Sequence, residues 1–334
     1  LLIFIACLVD YIIGDPIGWL HPVQVIGWVI DLGKKMTIDR FNHPRFSPIQ
    51  MKCWGIVLGA LVMAGTPIVG LLFCLLFAQI HPSLGQLCQI ILLSSCLAGK
   101  SLRQAAEDVL QNLEDLTLAR KRLSCYVGRD TDDLSEKEIL RAVLETVTEN
   151  GVDGVTAPLF YSILGELLCS PWGGVIGALL YKASSTLDSM IGYKESPFTD
   201  LGWFSAKTED VLTWLPCRLT VFTLGLLSGR PFYVWRICQR DAIYDPSPNS
   251  GWSECVYAAI LHVRLGGKNR YRGIVKIKPF LGEDLEPITI DKIRQALNLT
   301  RTCCLVWLCC LAVILCLQRL ESLCQNFDLI TIFF

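Results

Sequence analysis

Apolar residues fall in blocks along this chain, and charge is concentrated between them. Leu1 to Val9 is continuously apolar and then gives way to Asp10 and the turn-forming run Gly14-Asp15-Pro16. Nine residues are too few to span a bilayer alone, though enough to end a transmembrane helix. Trp19 to Ile30 resumes with helical spacing, as an interfacial helix would. Trp54 to Ile80 is long enough to cross a roughly 30 Å hydrocarbon core with some tilt. After the turn His81 to Gly85, Leu87 to Ala98 reads as the second, shorter arm of a membrane hairpin. The basic segments on either side, 31–52 and Lys100 to Arg141, then share one face, which the positive-inside rule places in the cytoplasm.

Lys100 to Glu149 is polar and helical in pattern, with Ser101, Asp130 and Ser135 as expected N-caps. Leu102, Ala105, Val109, Leu113 and Leu116 fall at the spacing of an amphipathic helix. Val155 to Tyr181 is apolar but interrupted by Ser170-Pro171-Trp172-Gly173-Gly174. The breakers favour two short helices in a re-entrant or protein-buried hairpin over a single span. A hairpin returns Asp188 to the side of Glu149 and Asp153. Val211 to Ser228 holds Pro216 and Arg218 mid-run, which fits an interfacial or cavity-lining helix better than a lipid-facing one. The expected architecture is a mainly α, polytopic integral membrane protein with re-entrant or interfacial hairpins and a polar site facing the cytoplasm. It is expected to form one membrane-embedded domain over 1–334. Its apolar segments lie near 1–9, 54–80, 87–98, 155–181, 211–228 and 303–317, and its polar ones at 31–52, 99–154, 182–210 and 229–302.

Composition agrees with a membrane protein. The chain is 52% hydrophobic and 18% charged, with mean hydropathy +0.45, against about 25% charge in soluble domains. Lys and Arg number 30 against 31 Asp and Glu, so no basic excess points to nucleic acid. The 16 cysteines include no Cys-x-x-Cys, and the four histidines do not cluster with them, which leaves no zinc spacing and no secreted disulfide framework.

Two phosphate-binding motifs fail on their own residues. Cys96-Leu97-Ala98-Gly99-Lys100-Ser101 ends like a P-loop, but Ser94 stands where the first glycine belongs. Asp153-Gly154-Val155-Thr156-Ala157 opens like the CDP-alcohol phosphotransferases, but Pro158 and the lack of later aspartates break that pattern. What remains is a set of polar clusters: Asp10, Asp15 and His21; Glu149, Asn150 and Asp153; Lys182, Asp188 and Lys194; Glu209 and Asp210; and Asp245 to Glu254. Carboxylate and amide oxygens suit Mg²⁺, and the lysines suit phosphate.

Read in order, the clusters resemble a known family. Asp10-x-x-x-Gly14-Asp15-Pro16 with His21-Pro22-Val23 looks like the amino-terminal signature of the cobalamin-biosynthesis membrane proteins CobD/CbiB, the adenosylcobinamide-phosphate synthases. Glu149-Asn150-x-x-Asp153-Gly154-Val155-x-Ala157-Pro158-Leu159-Phe160 is similar to their central motif, and Thr186-Leu187-Asp188-Ser189-Met190-x-Gly192-Tyr193-Lys194 to the next. Gly202-Trp203, Asp210, Arg218-Leu219-Thr220, Pro246-Ser247-Pro248-Asn249-Ser250-Gly251-Trp252-x-Glu254 and Leu265-Gly266-Gly267 complete a resemblance running from about Leu8 to Gly282. The chain departs from the family pattern at Ser185, Asp245 and His262.

The resemblance implies ATP-dependent amide ligation late in cobalamin assembly, joining adenosylcobyric acid to aminopropanol or its phosphate. ATP and Mg²⁺ are the implied cofactors, the corrinoid and the amine the substrates. Membrane lipid and other late-pathway enzymes are the implied partners. Residue chemistry assigns Asp153 and Asp188 to metal and phosphate, with Glu149 and Asn150 in support. Lys182 and Lys194 are expected to hold phosphate, and Asn249 and Glu254 to orient substrate or act as base. Ser247, Asp15, His21 and Asp210 complete the expected binding set. The rival is a transporter or non-catalytic corrinoid binder, in which Glu166 and Arg218 line a pathway.

Overall fold

The computed structural model describes residues 1–15, 21–41, 47–193 and 198–332. It is a mainly helical, multi-pass membrane protein: five helical stretches among the described residues are long and apolar enough to cross a bilayer. Helices α1 (Leu2–Ile12) and α2 (Pro22–Phe41) lead to the long α3 (Pro48–Ile80). That helix starts at a capping box, in which Ser47 and Gln50 satisfy each other's backbone N–H, with Pro48 at the first helical position. At His81 the imidazole Nδ1 accepts the Ser83 amide and opens α4 (Pro82–Cys96), so the expected hairpin forms with a longer second arm than its apolar run implied.

Short helices α5 (Gly99–Leu110) and α6 (Leu116–Leu123) precede α7 (Glu136–Gly151), which Ser135 caps as expected, with Glu138 closing a capping box. The other two expected caps are not helix caps. Ser101 lies inside α5 and donates to Asp15 at 2.7 Å, while Asp130 accepts the amides of Arg272 and Gly273. A π-helical turn, Val152–Thr156, then leads into α8 (Ala157–Cys169).

The apolar run after Val155 is two antiparallel helices, α8 and α9 (Gly173–Ile191). Their backbones touch. A methyl group at Gly165 would overlap the Gly173 carbonyl, and one at Gly177 the Tyr161 carbonyl. Small residues permit such an approach between apolar helices, where dispersion contacts replace the hydrophobic drive. A short helix α10 (Phe198–Leu201) joins α11 (Trp203–Leu227), and α12 (Pro231–Asp241), a single 3₁₀ turn (Ala242–Tyr244) and α13 (Ser250–Leu261) follow. The expected final helix at 305–317 is part of α14 (Ile290–Ile332).

The polar stretch after Gly229 holds an antiparallel hairpin that the charge pattern concealed, β1 (Arg264–Tyr271) and β2 (Ile274–Gly282). Arg272 and Gly273 both have positive φ, at 51° and 79°, which is the two-residue turn whose twist matches paired strands. The register shifts between Leu265 and Gly267 at a bulge, where Gly266 at φ 83° faces the Pro279 carbonyl too closely for any side chain.

Two large buried clusters take up most of the interior. One joins α5, α6, α7, α12, α13 and the hairpin around Leu144, Tyr257 and Leu265. The other joins α1, α4, α8, α9 and α14 around Leu159, Val175 and Leu311. A small cluster of Val152, Ala157, Tyr181 and Cys217 lies where the π turn meets α9 and α11. The backbone contact between α8 and α9 predicts that Gly165→Ala destabilises the protein by about 1–3 kcal/mol or more. Gly65 has open space around it, so Gly65→Ala leaves stability unchanged or raises it by about 0.5–1 kcal/mol. Unfolding midpoints in detergent, followed by tryptophan fluorescence, test both.

Candidate functional site

The π turn is where the polar chemistry gathers. Its Gly154 carbonyl accepts the Ala98 amide at 2.9 Å, and Thr156 shares a hydrogen bond of 2.8 Å with Thr220 on α11. One residue too many in a helical turn re-aims its side chains, and Asp153 stands on it. Glu149 precedes Asp153 by four residues, so both project from one side of the α7 end. The returning α9 brings Lys182 and Asp188 to the same space. The negative charges of Glu209, Glu149 and Asp188 act on Asp153, and the positive charge of Lys182 opposes them. Among the described residues, the side chains of Glu149, Asp153, Lys182 and Asp188 form no hydrogen bond or ion pair.

Helix α11 adds Glu209, which sequence reasoning left out of the expected site set. It accepts the Thr213 hydroxyl, which shares a 2.8 Å hydrogen bond with Tyr181. Tyr161 stacks on Tyr181 at 5.3 Å and donates to the Leu212 carbonyl. A carboxylate opening an otherwise apolar helix was the available signal. Its neighbour Asp210 carries an electrostatic influence to Asp188 and pairs with Lys207 at 3.3 Å.

The amino-terminal motif reaches the same region from the other side. His21 Nε2 lies 2.8 Å from Asp15, whose second oxygen accepts from Ser101. Burial disfavours the Asp15 charge, but the bonds from His21 and Ser101 hold its carboxyl below the usual range, with Lys182 adding to them. Asp10 caps α5 by accepting the Gly99 amide at 3.1 Å.

The Pro-Ser-Pro-Asn loop is a folded brace. Asp245 accepts the Ser247 amide and the Ser250 hydroxyl, and Ser247 accepts the amides of Asn249 and Ser250. Asn249 is buried, accepts from Arg218 at 2.9 Å and donates to the Asp210 carbonyl at 2.8 Å. Arg218 also donates to the Pro248 carbonyl and lies between the rings of Trp214 and Trp252. Asn249 and Ser247 thus hold α11 to the loop, with their polar atoms spent on protein. Asn150 is exposed and donates to the Thr146 carbonyl of its own helix. Lys194 lies outside the described residues.

Glu254 is fully buried behind this space and bonds Lys278 of β2 at 3.0 Å. Lys278 was not an expected site residue, because nothing in its local sequence places it beside α13. Burial, with Glu149 and Glu145 adding negative charge, pushes Glu254 up to about 8 despite the lysine. Burial also lowers the charge preference of Lys278, but the three carboxylates outweigh it and raise its affinity for the proton. Glu145 pairs with Arg129 at 2.5 Å and accepts the Gly266 amide at 2.9 Å.

The arrangement offers hard oxygen donors beside a lysine, open at one end and braced behind. No three His, Cys, Asp or Glu side chains among the described residues gather closely enough to enclose a metal. A carboxylate pair still fits Mg²⁺, which commonly takes one or two protein carboxylates and completes its shell with phosphate and water.

A family model described as "CobD/Cbib protein" matches residues 3–300. "Cobalamin biosynthesis protein CobD" of Synechocystis sp. is 51% identical over 89% of this chain and 86% of its own length. The CobD protein of Halalkalibacterium halodurans is 39% identical over 87% of this chain and 89% of its own. "Cobalamin biosynthesis protein CbiB" of Salmonella arizonae is 39% identical over 88% of this chain and 91% of its own. No solved structure matches the chain.

The buried pair predicts a pH-dependent stability. The folded state keeps the Glu254 proton up to about pH 8, whereas an unfolded chain releases it near 4.5. Stability therefore falls as pH rises through that interval, by at most ~1.4 kcal/mol per pH unit for one proton. Glu254→Gln cannot release this proton, so its unfolding midpoint should change less between pH 5 and 8 than the parent's. Parallel slopes for the two proteins in denaturation scans would show that Glu254 is not the titrating group.

Proposed function

The chain belongs to the CobD/CbiB family of cobalamin-biosynthesis proteins, and from that premise we propose that it is an ATP-dependent ligase. In this reading it joins the free propionate carboxylate of adenosylcobyric acid to aminopropanol or aminopropanol phosphate. The observation that carries the reading is the set of unpaired side chains, Glu149, Asp153, Asp188 and Lys182, gathered from two separate family motifs and the helix that joins them. Charged groups held without partners at one place are costly, and such cost is usual at functional sites.

Condensing a carboxylate with an amine in water is uphill. The substrate carboxylate oxygen attacks the γ-phosphorus of ATP, the bond to the bridging oxygen breaks, and ADP leaves. The amine nitrogen then attacks the acyl carbon, phosphate leaves and an amide forms. Asp153 and Asp188 would hold Mg²⁺, which when bound neutralises phosphate charge. Lys182 binds a phosphate oxygen as a point charge. Glu149 accepts the amine proton, and its approach to Lys278 keeps a cation behind it. Glu254 and Asn249 act as positioning residues, one through Lys278 and the other through Arg218 and α11. The membrane in this reading is the cell (inner) membrane, with the site on the cytoplasmic side, where ATP is supplied.

The transporter reading loses its two anchors. Arg218 is enclosed by two tryptophans and the 245–250 loop, and Glu166 accepts from Ser170 just past the end of its own helix.

Purified full-length protein in detergent, given adenosylcobyric acid, aminopropanol phosphate, ATP and Mg²⁺, should yield amide and ADP in equal amounts by mass spectrometry. Absence of amide with either amine would overturn the ligase. Asp188→Asn keeps shape and removes the charge, and should lower turnover at least ~100-fold, about 2.7 kcal/mol of transition-state stabilisation. Added Mg²⁺ should restore part of it. Exposed Asp132 is the control, and Asp132→Asn should leave turnover unchanged. Near-normal turnover of Asp188→Asn at limiting Mg²⁺ would remove Asp188 from the metal assignment.

A further inference from the structure

Asp10 also lines an open cleft of about 640 Å³ between α1, α5, α14 and the start of α8. The volume is that of a small-molecule site, and the cleft has two chemically different ends. At one end lie Arg103, Arg294 and Arg301; at the other lie Phe4, Leu8, Leu305 and Leu308. The order along the helices is consistent. On α1 the chain passes from Phe4 and Leu8 to Tyr11, and on α14 from Arg294 and Arg301 to Leu305 and Leu308. Arg301 donates to the Tyr11 hydroxyl at 3.1 Å, so the polar ends of the two antiparallel helices coincide. Polar end and apolar end therefore follow one another along the helices, as head group and acyl chain do in a lipid.

Charge at the polar end is unbalanced. Glu107 is neutralised by Arg294, which bonds both its oxygens at 2.9 and 3.0 Å. Asp10 accepts the Gly99 amide through one oxygen, and its other oxygen is buried without a partner. Arg103 donates to the Tyr11 carbonyl at 3.2 Å, and Arg301 to the Tyr11 hydroxyl. Both guanidinium groups also lie over the Tyr11 ring, at 4.7 and 6.0 Å from its centroid. Neither forms an ion pair with a carboxylate among the described residues. Two guanidinium groups held by one neutral residue are an anion site in waiting, since their planar donors match phosphate oxygens. Leu8 and Leu305 are more than half exposed immediately beyond them.

We propose that this cleft binds an anionic phospholipid of the surrounding bilayer, its phosphate between Arg103 and Arg301 and an acyl chain along Leu8, Leu305 and Leu308. Cationic pockets between membrane helices recognise anionic head groups in this way. The site uses none of the residues assigned to ligation, so it stands or falls separately from the proposed activity.

Delipidated full-length protein in a neutral detergent, titrated with phosphatidylglycerol and read by native mass spectrometry, tests the proposal. One phosphatidylglycerol should bind saturably, at least ~10-fold more tightly than phosphatidylcholine. The double variant Arg103→Gln/Arg301→Gln should lose that ~10-fold preference while keeping the parental unfolding midpoint. Leu305→Trp keeps both charges and obstructs the acyl track, so it should weaken phosphatidylglycerol binding as well; if the double variant fails to fold, this one decides. Equal binding of the two lipids, or binding unchanged in the variants, overturns the proposal. Competition by soluble glycerol phosphate as effective as the intact lipid also overturns it, because the cleft would then be a site for free phosphate.

Discussion

The backbone contact between two apolar helices sets the positions of everything at the polar end. Helix α8 has 13 residues, so a chain that continued straight past its end would run on from a point roughly 20 Å away from Asp153. Gly165, Gly173 and Gly177 let α9 fold back along α8 instead. Lys182 and Asp188 thereby rejoin Glu149 and Asp153, although a long apolar run separates them in the chain. The glycines of this hairpin are therefore as much a part of the site's construction as its carboxylates.

Two kinds of acidic residue surround that hairpin, and their difference is informative. Glu145 and Glu254 are buried and each meets a cation, Arg129 or Lys278. Glu149, Asp153 and Asp188 are less enclosed and meet none. A paired buried carboxylate holds parts of the fold in register, and breaking such a pair is expensive. Unpaired carboxylates repel one another and favour a cation from outside. The outer pairs brace the fold, and the inner group forms no ion pair among the described residues.

Much of this was legible in the sequence, for identifiable reasons. Apolar runs bounded by Gly and Pro gave the membrane hairpins, because backbone satisfaction and burial act locally there. The Ser135 cap was readable for the same reason. Clusters of Asp, Asn and Lys beside apolar sequence marked Asp153, Lys182 and Asp188. Asn249 and Glu254 were read as substrate contacts because their motif is polar, yet Asn249 is consumed by Arg218 and Glu254 by Lys278. Both partners are distant in sequence, and no local pattern announces them. The β-hairpin was hidden by its charge. Its alternation from Ile274 to Lys278 and the Arg272-Gly273 turn were present, but read as part of a basic cytoplasmic stretch.

That hairpin has a consequence beyond its own stability. Strand side chains alternate between faces, so a slip of one residue in β2 would turn Lys278 away from α13. Glu254, Glu149 and Glu145 would then share the interior with one cation fewer. The two-residue turn at one end and the Gly266 bulge at the other, tied by its amide to Glu145 and by its carbonyl to Arg141, fix the pairing of Gly267 with Lys278. The cation that faces Glu254 inside the helical body is thus placed by the strand register of a ribbon on its surface.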